Sequence, residues 1–192
     1  MTHYRHVAAL YDIHGNLPAL EAVLAEVQRE GADVVLVGGD VFPGPMCVEA
    51  LTLLSSLTIP VMYIMGNGDR ETLGARGGNT SPLIPFAFQH ALRWCASEVT
   101  DELADVMSAW PATTRLDVDG MGCVMFCHAT PESDVTIITR RTPTREMAAH
   151  FVTTAEHVVV CGHTHMQYDR KVGSHRIVNA GSVGMPFGAP GA

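Results

Sequence analysis

Five short clusters in this 192-residue chain carry residues able to do chemistry: Asp12-Ile13-His14, Gly39-Asp40, Gly66-Asn67-Gly68-Asp69, a single His128, and Gly162-His163-Thr164-His165. Each follows a run of apolar residues. Together they offer Asp12, His14, Asp40, Asn67, His128, His163 and His165 as metal ligands, a set of carboxylate, amide and imidazole donors. Such donors, with no thiolate demanded, suit two divalent ions drawn from Mn, Fe or Zn, with Mn favoured. A carboxylate shared between the ions, most naturally Asp40, would hold them about 3.5–4 Å apart, the spacing of two-metal hydrolytic sites. The glycines beside the ligands let the backbone turn sharply and approach a bound ion or phosphate.

The elements that must position these clusters are legible from periodicity. His6–Tyr11 is a short apolar run of the kind that makes a buried strand. Asn16 then reads as a helix cap and Pro18 as a first-turn residue, with apolar Leu20, Val23, Leu24 and Val27 at helical spacing. Val34–Val37 is the next strand, Val48–Leu57 a helix and Val61–Met65 a third strand. Strand alternating with helix implies parallel pairing through crossovers. The spacings of 28 residues from Asp12 to Asp40 and 27 from Asp40 to Asn67 fit one crossover unit each. Parallel strands place their carboxyl ends on one edge, where ligands bind in open α/β sheets. Between about 73 and 110 the pattern changes to two helices, near Phe86–Ser97 and Asp101–Trp110, as in a cap insertion. Strand signals return at Thr114–Val118, Cys123–Cys127, Val158–Cys161, Tyr168–Val172 and His175–Asn179. With no repeat or linker, residues 1–192 read as a single domain.

Composition narrows the function classes. The net charge of −8 argues against nonspecific nucleic-acid binding, which needs a basic surface. Apolar residues make up 47% of the chain, enough for a real core. The N-terminal residues lack the apolar core of a signal peptide, and no apolar stretch approaches membrane-spanning length. The five cysteines, Cys47, Cys95, Cys123, Cys127 and Cys161, are odd in number and form no disulfide framework. A soluble protein of the cytoplasm with reduced thiols is expected.

Each cluster alone is weak. Asp12-x-His14 also reads as a turn and helix cap, and Gly39-Asp40 says almost nothing. Five of them in order, each at a strand end, are what point to a binuclear centre. His3, His6, His90, His150, His157 and His175 have no such context and read as surface or satisfied histidines. Cys127 and Cys161 precede ligand histidines but read as small buried hydrophobes. Arg70, Arg140 and Arg141 are the cations nearest the clusters, and Arg70 and Arg141 are the candidates to clamp a substrate phosphate.

Asp12-x-His14, Gly39-Asp40, Gly66-Asn67-x-Asp69, His128 and Gly162-His163-x-His165, running on to Asn179-Ala-Gly-Ser-Val-Gly184, resemble the calcineurin-like metallophosphoesterase superfamily, in its small bacterial and archaeal phosphodiesterase-like branch. The resemblance implies a four-layered α/β/β/α sandwich of two mixed sheets flanked by helices. It implies one metal held by Asp12, His14, Asp40 and His165 and another by Asp40, Asn67, His128 and His163. Catalytic roles would fall to Asp40, Asn67, His128 and Asp69. The implied reaction is hydrolysis of a phosphate ester, more a diester than a monoester, of a small molecule or nucleotide by a metal-bridging hydroxide.

Two features depart from the family pattern. Many members carry His after the motif asparagine, where this chain has Gly68, which puts general-acid catalysis in doubt. Family chains usually continue past the Gly-Ser-Val-Gly segment into final strands, whereas this sequence ends at Gly191-Ala192. The rival readings are a non-catalytic scaffold or binding module of the same fold, a phosphomonoesterase, and a one-metal or zinc-storage protein. Substrate identity and oligomeric state are not written in the motifs.

Overall fold

The computed structural model describes residues 3–82 and 84–188; the chain end at Gly191 and Ala192 lies outside them. Two strands open the chain, β1 (His3–Tyr4) and β2 (Val7–Leu10). Helix α1 (Leu17–Glu30) follows as its cap residues dictate: the Asn16 side chain accepts from Ala19 N–H at 3.2 Å, Pro18 sits in the first turn, and Gly31 ends the helix at φ 67°. The alternation continues through β3 (Val34–Val37), α2 (Cys47–Ser55) and β4 (Val61–Tyr63). Three helices come next, α3 (Asn67–Arg76), α4 (Phe86–Glu98) and α5 (Asp101–Ser108). The second half holds β5 (Thr113–Val118), β6 (Gly122–Cys127), α6 (Thr144–Ala149), β7 (Val158–Cys161), β8 (Tyr168–Val172) and β9 (His175–Asn179).

The strands form two sheets. One has the order β2-β3-β4, the other β1-β5-β6-β7-β9-β8. The larger sheet is mixed, with β5–β6 and β8–β9 antiparallel and its other pairs parallel. The smaller is parallel throughout, so the expectation of two mixed sheets is corrected for it. Its strands are joined only by helical crossovers, which leave no route to an antiparallel neighbour.

Side-chain alternation along the strands builds the layers. Val34 and Leu36 face Leu116, Val124, Phe126 and Val158 between the sheets. Val35 and Val37 face the opposite way, into a core with Leu20 and Val27 of α1 and Leu51 and Leu54 of α2. On the far side Met125, Val159 and Ile177 pack against Met147 of α6 and Phe151. The result is helix, sheet, sheet, helix. Strand β2, expected to be buried, lies at the edge of the small sheet, and Val7, Ala8 and Ala9 are only half-buried. No helix among the described residues is long and apolar enough to cross a membrane.

The cap at Asn16 also donates from its amide nitrogen to Gly184 O at 2.9 Å, so it ties α1 to the last described segment. Asn16→Ala is expected to cost about 1 kcal/mol, lowering the unfolding midpoint by about 3 °C in a thermal melt.

Candidate metal centre

All five clusters arrive at one edge of the molecule. Strands β2, β3 and β4 run parallel, and so do β6 and β7, so the loops after them open on the same side. Backbone bonds stitch the loops together: Asp12 N–H to Gly39 O at 3.1 Å, His14 N–H to Asp40 O at 2.9 Å, and Gly162 N–H to His128 O at 2.8 Å.

Two groups of three side chains converge there, Asp12 with His14 and His165, and Asp40 with His128 and His163. Within each group the ligand-type atoms lie within 4.8 Å of one another. The groups adjoin: His14 Nε2 is 3.6 Å from Asp40 Oδ2, and His128 Nε2 is 3.5 Å from Asp40 Oδ1 and 3.8 Å from Asp12 Oδ1. Asn67, the first residue of α3, turns its side-chain amide to within 3.1 Å of His128 Nε2. Asp40 therefore stands between the two groups, as a shared carboxylate must.

The backbone is strained at the same places. Among the described residues the non-glycine positions with positive φ are Asp12, His14, Asp40, His163 and His165, every one a predicted ligand. Left-handed backbone costs an L-residue roughly 1–2 kcal/mol, and such strain persists only where the surroundings fix it. His163 N–H donates to Asp12 Oδ2 at 2.8 Å, and Ser182 Oγ–H donates to Asp12 O at 2.7 Å. Gly44 passes so close beneath the first loop that an added Cβ would lie 1.8 Å from His14 O.

The donor set fits cations. His14, His128 and His165 each bond a backbone carbonyl through Nδ1, on Pro43, Gly38 and Met185 at 3.1, 2.9 and 2.8 Å. That fixes the tautomer and turns each Nε2 lone pair inward, the arrangement of metal-ligating histidines. Asp12 Oδ1 is buried and receives no hydrogen bond, a debt a cation would settle. With oxygen inward, Asn67 adds another lone pair; with nitrogen inward it donates to His128 Nε2 and to His163 Nδ1 at 2.8 Å. A cation selects the first orientation.

The electrostatics state the same demand for positive charge. Burial pushes Asp40 up, but His128 and His14 outweigh it and hold the carboxyl at about 2. Burial pushes His128 down, and Asp40 and Asp12 overcome it, raising the imidazole to about 10. His165 is raised against burial by Asp12, while burial and His128 lower His163. A proton on His128 thus carries the charge that two carboxylates require.

The remaining expected site residues are Asp69, Arg70 and Arg141. Asp69 is fully buried, and its oxygens accept from Asp40 N–H at 2.7 Å, Gly66 N–H at 3.1 Å and Phe42 N–H at 2.9 Å. Burial and the Asp40 carboxylate raise its pKa to about 7. Fully buried, it ties two ligand loops together through these bonds, the contacts of a positioning residue. Arg70 spends its guanidinium on Asp134, at 2.7 and 3.2 Å, and on Glu71 at 2.7 Å. Arg141 is exposed on the 139–142 turn.

Two positioning residues fall in the Asn179–Gly184 segment that carries part of the family resemblance. Asn179 Nδ2–H donates to Gly162 O at 2.6 Å and its oxygen accepts from Gly181 N–H, which sets the 162–165 loop. Ser182 sets the Asp12 loop. The resemblance marks that segment but assigns neither residue a role.

This fold and this cluster define a class, and the chain belongs to it: residues 6–192 match the calcineurin-like phosphoesterase superfamily domain. Solved structures agree on the fold. The hypothetical protein PH1004 of Pyrococcus horikoshii OT3 superposes with a TM-score of 0.76 at 22% identity, over 96% of this chain and 79% of that one. A metallophosphoesterase of Sphaerobacter thermophilus gives 0.69 at 24% identity, over 95% and 78%. The phosphoesterase Yfce of E. coli gives 0.56 at 19% identity, over 95% and 82%. No sequence among the curated proteins matches the chain.

Proposed function

We propose that the protein is a binuclear metal-dependent phosphoesterase that hydrolyses a phosphodiester of a small molecule or nucleotide. The observation that carries this reading is the pair of adjoining triads, with Asp40 between them and the imidazoles of His14, His128 and His165 held in their ligating tautomer. Asp12, His14, Asp40 and His165 would hold one divalent ion, and Asp40, Asn67, His128 and His163 the other, Mn being favoured over Fe or Zn. Such ions supply Lewis acidity to the phosphoryl oxygens and an acidified water. The reading takes residues 1–192 as one cytoplasmic domain in which the 73–110 helices shape the substrate pocket. Substrate contact by Arg70 would require it to share or leave Asp134, and Arg141 is the second candidate.

The chain's own contribution is to hold and orient. Asp40 keeps its place between the triads by accepting from Gly68 N–H at 2.7 Å. His128, 1% exposed, is locked on Gly38 O. At position 68 no side chain stands ready to protonate a leaving group, and none fits: an added Cβ would meet Phe42 O at 2.3 Å. A leaving group must then depart without help from that position. Rates for a series of aryl phosphodiesters are expected to rise as the leaving phenol becomes more acidic; a rate flat across the series would sink this account.

The direct test pairs metal content by plasma mass spectrometry with turnover of bis-p-nitrophenyl phosphate after Mn(II) addition. Two ions per chain and turnover abolished by chelation are expected. A chain that takes up no metal overturns the proposal, and two ions without turnover select the scaffold reading.

A further inference from the structure

Cys47 is the first residue of α2, and Cys95 lies on α4, an element far along the chain. Their thiols converge on one peptide group. Both sulfurs lie 3.2 Å from the carbonyl oxygen of Gly44, and Gly44 N–H donates to Cys95 Sγ at 3.3 Å. Two sulfurs each 3.2 Å from one oxygen lie no more than about 6.4 Å apart, and rotation about each Cα–Cβ bond can bring them together. Both residues are buried, yet they line a cavity of 160 Å³ with Pro45, Trp94 and Glu98, which admits a molecule the size of a peroxide.

The other cysteines lack this arrangement: Cys123 is exposed, and Cys127 and Cys161 end strands in the core beside α6. The two thiols of the pair are also unequal. The neighbouring Cys47 thiol outweighs burial and lowers Cys95 to about 7, while Cys95 and burial push Cys47 well up. A thiolate at Cys95 is the nucleophile, and Cys47 is the thiol that resolves its product.

We propose that Cys47 and Cys95 form a peroxide-sensitive pair that closes reversibly to a disulfide, tying helix α4 to the loop beneath His14. The Cys95 thiolate attacks one oxygen of hydrogen peroxide and breaks the O–O bond. Its sulfur is oxidised to a sulfenic acid, and the departing hydroxide takes a proton to become water. The Cys47 sulfur then displaces the sulfenic oxygen, which leaves with the Cys47 proton as a second water. Two thiols and one peroxide thus yield one disulfide and two waters. Closure draws both sulfurs away from Gly44 O, next to Pro43, whose carbonyl fixes His14 Nδ1. The oxidised chain then holds His14 less firmly; this consequence rests on the proposed metal centre, whereas the cross-link does not.

The sequence makes the test clean. Tryptic cuts at Arg29, Arg70, Arg93 and Arg115 leave Cys47 alone in fragment 30–70 and Cys95 alone in fragment 94–115. Reduced protein is treated with hydrogen peroxide, capped with iodoacetamide and digested without reductant. The two fragments are expected as one linked species that dithiothreitol splits, with free thiols falling from five to three. Cys95→Ser should give no linked species. Both fragments recovered capped, with oxidation confined to Cys123, would overturn the proposal, as would equal cross-linking of the urea-unfolded chain. Mn(II) binding, titrated calorimetrically, is expected to weaken about tenfold in the oxidised form. Equal affinity in a cross-linked chain overturns the coupling to His14, and a reduced chain that binds no Mn(II) overturns the metal reading while leaving the cross-link readable.

Discussion

Asp40→Asn is expected to lower turnover about a thousandfold, some 4 kcal/mol of transition-state stabilisation, and to reduce bound metal from two ions to one or none. The substitution keeps the shape of the side chain. Its oxygen can still accept from Gly68 N–H, now at 2.7 Å, so the loop has no reason to move. What disappears is the negative charge lying between His14 Nε2 at 3.6 Å and His128 Nε2 at 3.5 Å. Neither triad then has a carboxylate to share with the other. Stability without metal should fall, since Asp40 is the larger of the two carboxylate partners that hold the buried His128 imidazole protonated. Metal content, a thermal melt in chelator and turnover of an aryl diester separate these effects. Retention of two ions and full turnover would remove the shared-carboxylate role altogether.

Much of this arrangement is legible in the residues. Val34–Val37, Val158–Cys161, Tyr168–Val172 and His175–Asn179 are found as strands with the bounds their apolar patterns predict. Asn16 and Pro18 mark the start of α1 as expected. The misses have physical causes. No helix is predicted at Gly66-Asn67-Gly68, because glycine disfavours helix interiors, yet α3 begins at Asn67. Tertiary bonds override that preference: Gly68 N–H reaches Asp40, and Asp69 reaches back to Gly66 N–H. Strand β1 has two residues and pairs with the far end of β5, so it has no period to detect. Helix α6 is six residues long and also lacks one. At the site, residue types and order place the ligands on one edge, but nothing in the residues announces that Asp12, His14, Asp40, His163 and His165 adopt left-handed backbone. That information lies in the bonds between loops, and the role of Asp69 is of the same kind.

Asp69→Ala is expected to cost about 5 kcal/mol, because it strands three buried backbone donors at once. The N–H groups of Asp40, Phe42 and Gly66 all end on this one carboxylate, and no water-exposed face lies beside it. For a chain of this size the unfolding midpoint should fall by about 15 °C. Asp69→Asn should fall between, since one amide oxygen can still serve Asp40 and Gly66 while the amide nitrogen confronts Phe42 N–H. Melts are run in chelator, so that bound metal does not add its own stabilisation. The ordering matters more than the size. Asp69 holds Asp40 in its strained φ of 55° and fixes the start of the helix that carries Asn67. If it acts through those loops, metal affinity must weaken in the same order as stability, Asn less than Ala. An Asp69→Asn chain that melts like the parent and binds Mn(II) as tightly, yet turns over a diester far more slowly, would return Asp69 to the chemistry itself.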